Sequence, residues 1–138
     1  MTDIDIMGVL NYRLSEYTNL NPIDVDYPNI KYEPSNGTSF LAVDLLPGTT
    51  TPASIGTGAC TRHVGVYQIM INVPKYKSFS ESKVLIDGLK NYFRMSTGIT
   101  YNGITVRVTK FQVEQYMTDD AWFKQPVSIY YRSDLENT

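Results

Sequence analysis

The run from Arg62 to Val73 alternates so regularly that it constrains the fold more than any other segment. Tyr67, Ile69, Ile71 and Val73 fall on one face, Val66 and Met70 fall on the other, and Pro74 ends the ladder. A strand of that length crosses a whole sheet, so the rest of the chain has to supply its neighbours. Ser39–Leu46 is one, with Leu41, Val43 and Leu45 opposite Phe40, Ala42 and Asp44 before Pro47-Gly48 stops it. The Asn102-Gly103 pair predicts a tight type I′ hairpin, since both central residues of that turn need positive φ.

The strand returning from the hairpin places Ile104, Val106 and Val108 on one face, then shifts its apolar set to Phe111 and Val113. An alternation cannot change phase without a bulge or twist, which is expected near Thr109 or Lys110. A polar turn over Met117–Ala121 leads to a last strand from about Trp122 to Arg132, in which Pro126 suggests an edge or a bulge. Between Asn21 and Gly37, three prolines leave room only for a short extended piece at Ile23–Tyr27. Asn36-Gly37-Thr38 matches a glycosylation acceptor but reads as a turn.

Two segments follow the helical period instead. Ile4, Met7, Leu10, Leu14 and Tyr17, widened by Ile6 and Val9, predict an amphipathic helix over about residues 3–18, capped by Thr2 or Asp3 and stopped by Asn19–Pro22. Ser78-Phe79-Ser80-Glu81 is a capping box before a second stripe of Leu85, Leu89, Tyr92 and Phe93, with Gly98 as a terminator. The expected fold is α+β, a largely antiparallel sheet of about four to five strands with both helices packed on one face. No repeat or linker divides residues 1–138, which read as one domain.

Composition narrows the function. Hydrophobic residues make up 42% and charged residues 19%, a balance that folds. The net charge of −2 and the scatter of the twelve basic residues speak against nucleic-acid recognition, which needs a concentrated surplus of Lys and Arg. No run is long and apolar enough for a membrane span, and no signal-peptide core opens the chain. With Cys60 as the only cysteine, no internal disulfide is expected, so synthesis in a reducing cytoplasm follows. Eleven tyrosines suit protein interfaces, though half-buried strands favour them equally.

Catalytic and metal constellations are not expected. His63 and Cys60 are each the sole residue of their type and stand three apart, which in a strand sends them to opposite faces. A zinc site would need further nitrogen or sulfur ligands. Gly56-Thr57-Gly58 precedes a strand and has no following helix or P-loop lysine to serve a phosphate. Asp24/Asp26 and Asp119/Asp120 sit where turns favour aspartate. No cofactor is implied, and a small ligand-binding domain or enzyme built on His63 and Cys60 is the reading from another class.

The stretch Pro47–Cys60 consists of small, uncharged residues with hardly an apolar anchor. Loops this long in compact domains usually have a function. Gly48, Thr49, Thr50, Thr51, Ile55, Gly56, Thr57 and Gly58 are the candidate contact residues, expected to order against a partner.

Taken in order, Tyr27-Pro28-Asn29, the strand Phe40–Val43, the Gly/Thr loop, Arg62–Ile69 ending at Val73-Pro74, the second helix, the hairpin at Tyr101–Gly103 and Trp122–Ile129 resemble one family. It is the tail terminator (tail completion) family of long-tailed bacteriophages. The resemblance implies a virion protein without enzymatic activity, assembled in the host cytoplasm. It implies a ring, in six copies, on the head-proximal end of the tail tube. Such a ring stops tube growth and joins the tail to the head connector. The implied partners are further copies of itself, the tail tube protein and a connector or neck protein. A neck or head-completion role is the neighbouring alternative.

Overall fold

In the computed structural model, residues 3–21, 23–28, 38–48, 51–52, 60–75, 79–118 and 122–136 are described. Helix α1 spans Asp3–Leu20. It is followed by β1 (Asp24–Asp26), β2 (Phe40–Pro47), β3 (Thr51–Pro52) and β4 (Cys60–Pro74). Helix α2 (Phe79–Tyr92) precedes β5 (Gly98–Tyr101), β6 (Ile104–Val113), β7 (Met117–Thr118) and β8 (Trp122–Glu136).

The alternating run forms the spine of the sheet. β4 pairs antiparallel with β8 along all fifteen residues of each, from Cys60 opposite Glu136 to Pro74 opposite Trp122. The strand order is β1-β2-β4-β8-β6-β5, with β3 added on β4 and β7 on β8. Eight strands therefore replace the expected four to five, because the proline-rich stretch, the small-residue loop and the polar turn each supply an extra short one. The sheet is mixed, since β1 runs parallel to β2. It is also curled, so the two helices do not form the clear single layer expected of them.

Both helices nevertheless enter one core. From α1, Ile6, Val9, Leu10, Leu14 and Tyr17 are buried. Met7, expected in the stripe, packs only partly buried against this core. From α2 come Leu85 and Leu89, with Phe93 just beyond its end. The sheet contributes Tyr67, Ile69, Ile71, Val106, Val108, Val127, Ile129 and Tyr131, each at most 1% exposed. Full burial of a Leu or Ile side chain contributes about 1.5–3 kcal/mol, so these rows dominate the stability of the fold.

Local signals explain the boundaries. Asn102 and Gly103 have φ of 53° and 77°, the left-handed pair that a type I′ turn requires. The phase change in β6 is a bulge, with the register on β8 shifting between Val108 and Lys110. At the end of α1, Asn21 donates both its backbone N–H and its side-chain amide to the Tyr17 carbonyl, at 2.9 and 3.3 Å. α2 ends at Tyr92, six residues before the expected Gly98, which opens β5 instead. Ser96, with φ of 71°, makes that turn, and its N–H bonds the Val108 carbonyl, so the chain is drawn onto β6 before it reaches the glycine. The expected caps Thr2 and Ser78 lie outside the described residues. Glu81 accepts a 2.5 Å hydrogen bond from Ser39, tying α2 to the start of β2.

Pro126 corrects another expectation, for it stands in a central strand. It pairs with Met70 on β4, while its carbonyl accepts from the Glu114 N–H on the opposite side. The N–H that proline lacks would point to that same side, into the gap where β6 stops opposite Val127 and β7 has yet to begin opposite Lys124. The Glu114 carbonyl that it would have met accepts from the Gln125 side-chain amide instead.

Candidate assembly surface

Four rows of side chains cross the middle of the sheet. The registers align Val43–Ile69–Val127–Val113, Asp44–Gln68–Ser128–Gln112, Leu45–Tyr67–Ile129–Phe111 and Leu46–Val66–Tyr130–Lys110 on β2, β4, β8 and β6. Alternate rows share a face. The rows through Ile69 and Tyr67 face the core, and those through Gln68 and Val66 face away from it.

Among the described residues, both ends of these rows are open. β1 flanks β2 only at Phe40–Ala42, and β5 flanks β6 only at Ile104–Arg107, after which residues 96–97 bond Val108. Among the described residues, no strand lies outside Val43–Leu46 or outside Lys110–Val113. The backbone groups pointing outward along these stretches are the usual template for pairing with another chain. Apolar side chains reach both edges: Leu46 is 49% exposed and Val113 45%, while Leu45 and Phe111 are half-buried.

The two edges differ in charge. Beside β2, a groove of about 290 Å³ is lined by Asp26, Asp44, Ala42 and Met70, among others. Beside β6, a groove of about 500 Å³ lies between the end of α2 and the strand, lined by Lys90, Asn91, Arg94, Met95, Lys110 and Phe111. Arg94 donates to the Asn91 side chain at 3.0 Å, and the Lys110 ammonium lies 5.4 Å from the centre of the Tyr130 ring. Among the described residues, none of these three cations pairs with a carboxylate.

Of the candidate loop residues, Gly48 and Thr51 fall within described strands or their continuation, and the other six lie outside the described residues. Gly48 donates its N–H to the Val64 carbonyl at 2.7 Å, and Thr51 is in register with Arg62, so both lie along β4. Cys60 and His63 lie in β4 opposite Glu136 and Ser133. Among the described residues, no group of three His, Cys, Asp or Glu could hold a metal ion, and no helix is long and apolar enough to cross a membrane. From the sequence, exposed strand edges available for pairing between subunits are expected, but not which strands carry them; their one local trace is an apolar residue, Leu46 or Val113, at the end of each strand.

Comparison with known proteins places this fold. A family model described as phage tail terminator protein matches residues 5–131. The class is thus that of phage tail structural proteins. The chain belongs to the phage tail terminator family. A solved structure titled only with a sequence identifier shares the fold, with a TM-score of 0.79 and 22% identity over 100% of this chain and 99% of that one. A chain from a structure titled virion of native gene transfer agent (GTA) particle aligns at a TM-score of 0.49 and 16% identity, covering 88% of this chain and 84% of that chain. No curated protein matches.

Proposed function

We propose that the chain forms a ring, of six copies, that closes the head-proximal end of a phage tail tube, stops further polymerisation and presents a surface to the head connector. The observation that carries this reading is the family match across residues 5–131. A sheet with two open edges and exposed aromatics such as Tyr116, 52% exposed, suits work done through protein contacts. On this reading the protein has no enzymatic role, and its place is the tail of the virion. The Gly48–Ala59 loop is proposed as a contact with a neighbouring subunit or the tube.

The test is electron microscopy of tail tubes polymerised with and without the purified protein. A ring at one end of each tube, together with an arrest of elongation, is the expected result. Tubes that keep growing, or a protein that binds only the portal side of isolated heads, would sink the proposal. Hydrogen exchange on the same material tests the loop, whose amides should gain protection on capped tubes.

A further inference from the structure

We infer that the two open edges are made for each other: β6 of one copy pairs antiparallel, through Lys110–Val113, with Val43–Leu46 of β2 in the next copy, so that one sheet runs from subunit to subunit. This deepens the ring reading above and rests on it for the meaning of the assembly, though not for the contact itself.

Three observations converge on it. The first is level: among the described residues, both edges are open at the same four rows of the sheet. The second is direction. β2, β4, β8 and β6 alternate, each antiparallel to its neighbour. A second copy placed beyond β6 in the same orientation therefore presents its β2 antiparallel to that strand, with no need to turn over. Because the contact joins two different edges, it is head-to-tail and propagates into a ring or a filament.

The third observation is chemical complementarity along the shared rows. On the core face, Val113 would lie opposite Val43, and Phe111 opposite Leu45, continuing apolar rows that each subunit leaves half-covered. On the other face, Gln112 would lie opposite Asp44 and Lys110 diagonal to it, within reach for a long side chain. The incoming Asp44 and Asp26 belong to the acidic groove, and Lys110 lines the basic one. Two β2 edges would instead set aspartates against each other, which disfavours a symmetric dimer.

The experiment uses full-length protein with Cys60, the only native cysteine, replaced by Ser. Asp44→Cys and Gln112→Cys stand in one row, so across the junction their Cα atoms would be about 4.5–5.5 Å apart, within the span of a disulfide. Under mild oxidation, a chain carrying both should give a ladder of covalent multimers on a denaturing gel, whereas either variant alone should give at most a trace of dimer. A second arm measures self-association by sedimentation, where Lys110→Glu and Asp44→Lys should each weaken it by about tenfold or more. A one-to-one mixture of those two variants should recover association. Their ends then match in alternation, acid to base at every junction.

Absence of the ladder, or charge reversals that leave association unchanged, overturns the pairing even if the wild-type protein caps tubes. A ladder from a protein that never caps tubes upholds the pairing and removes the tail-terminator role instead. A wild-type chain that sediments as a monomer both alone and on tubes overturns both.

Discussion

The Tyr17 ring of α1 lies so close to Gly88 of α2 that a Cβ at residue 88 would stand 2.6 Å from its Cε2 and 2.7 Å from its hydroxyl oxygen. The ring is 3% exposed and meets Tyr92 edge-on at 5.3 Å, so it has nowhere to swing. Alanine at a helix interior normally gains about 0.5–1 kcal/mol over glycine. Overpacking at a buried contact costs about 1–3 kcal/mol. Gly88→Ala should therefore destabilise the fold by about 1–2 kcal/mol in urea unfolding, whereas the pair Gly88→Ala with Tyr17→Leu should show less than the sum of the two single losses.

Tyr67 is buried and donates its hydroxyl to the Asn11 side chain at 2.6 Å, joining β4 to α1. Burial, reinforced by Tyr27, holds its pKa well above 10.0 in the folded protein. In the unfolded chain it ionises near 10, so the stability it contributes is complete below that pH and falls as pH rises beyond it. Urea unfolding at pH 8 and at about pH 11 should show a steep loss for the wild type. Tyr67→Phe should lose about 1 kcal/mol at pH 8 from the missing hydrogen bond. Its decline between the two pH values should be shallower than that of the wild type, and an equal decline would contradict the assignment.

Arg62 and Asp134 close the far end of the β4–β8 ladder, with Nε to Oδ1 at 2.9 Å and Nη2 to Oδ2 at 3.3 Å. The hydrogen bond from Arg62 draws the Asp134 carboxyl below its usual 3.8. A depressed carboxylate pKa stabilises the fold above the unfolded value, and that contribution disappears as pH falls through the folded one. Both side chains are more than a third exposed, so the effect on global stability should be small. Arg62→Ala should raise the Asp134 pKa toward 3.8 in a carboxyl-detected NMR titration, and a high-salt buffer should do part of the same in the wild type.

The β5–β6 hairpin depends on Gly103, whose φ of 77° is strained for any side chain although the space around it is open. Gly103→Ala should cost about 1–2 kcal/mol. Because β5 pairs only with β6 among the described residues, the loss should appear first as faster hydrogen exchange at Ile99 and Thr100, ahead of the β4–β8 core.

Where a structural feature depends on residues a few positions apart, the sequence by itself determined it. The Asn102-Gly103 turn, the bulge after Val108, the strand through Tyr67–Val73 and the stripe of α1 all follow from local sterics and from the periods of 2 and 3.6. The early end of α2 was not legible, because Ser96 is held by Val108, a partner twelve residues away. Pro126 misled for the same reason. The missing N–H leaves the Glu114 carbonyl to the Gln125 side chain, and that carbonyl stands twelve positions away in the chain, not in the composition around residue 126. The tail-terminator resemblance was legible because it rests on the order of motifs along the chain. The assembly surface was not. Asp44 and Lys110 lie sixty-six positions apart, and nothing in their surroundings says that both stand on open edges at one level of the sheet. Strand order and register are set by long-range pairing, and only the folded sheet decides which backbone groups are left without a neighbour.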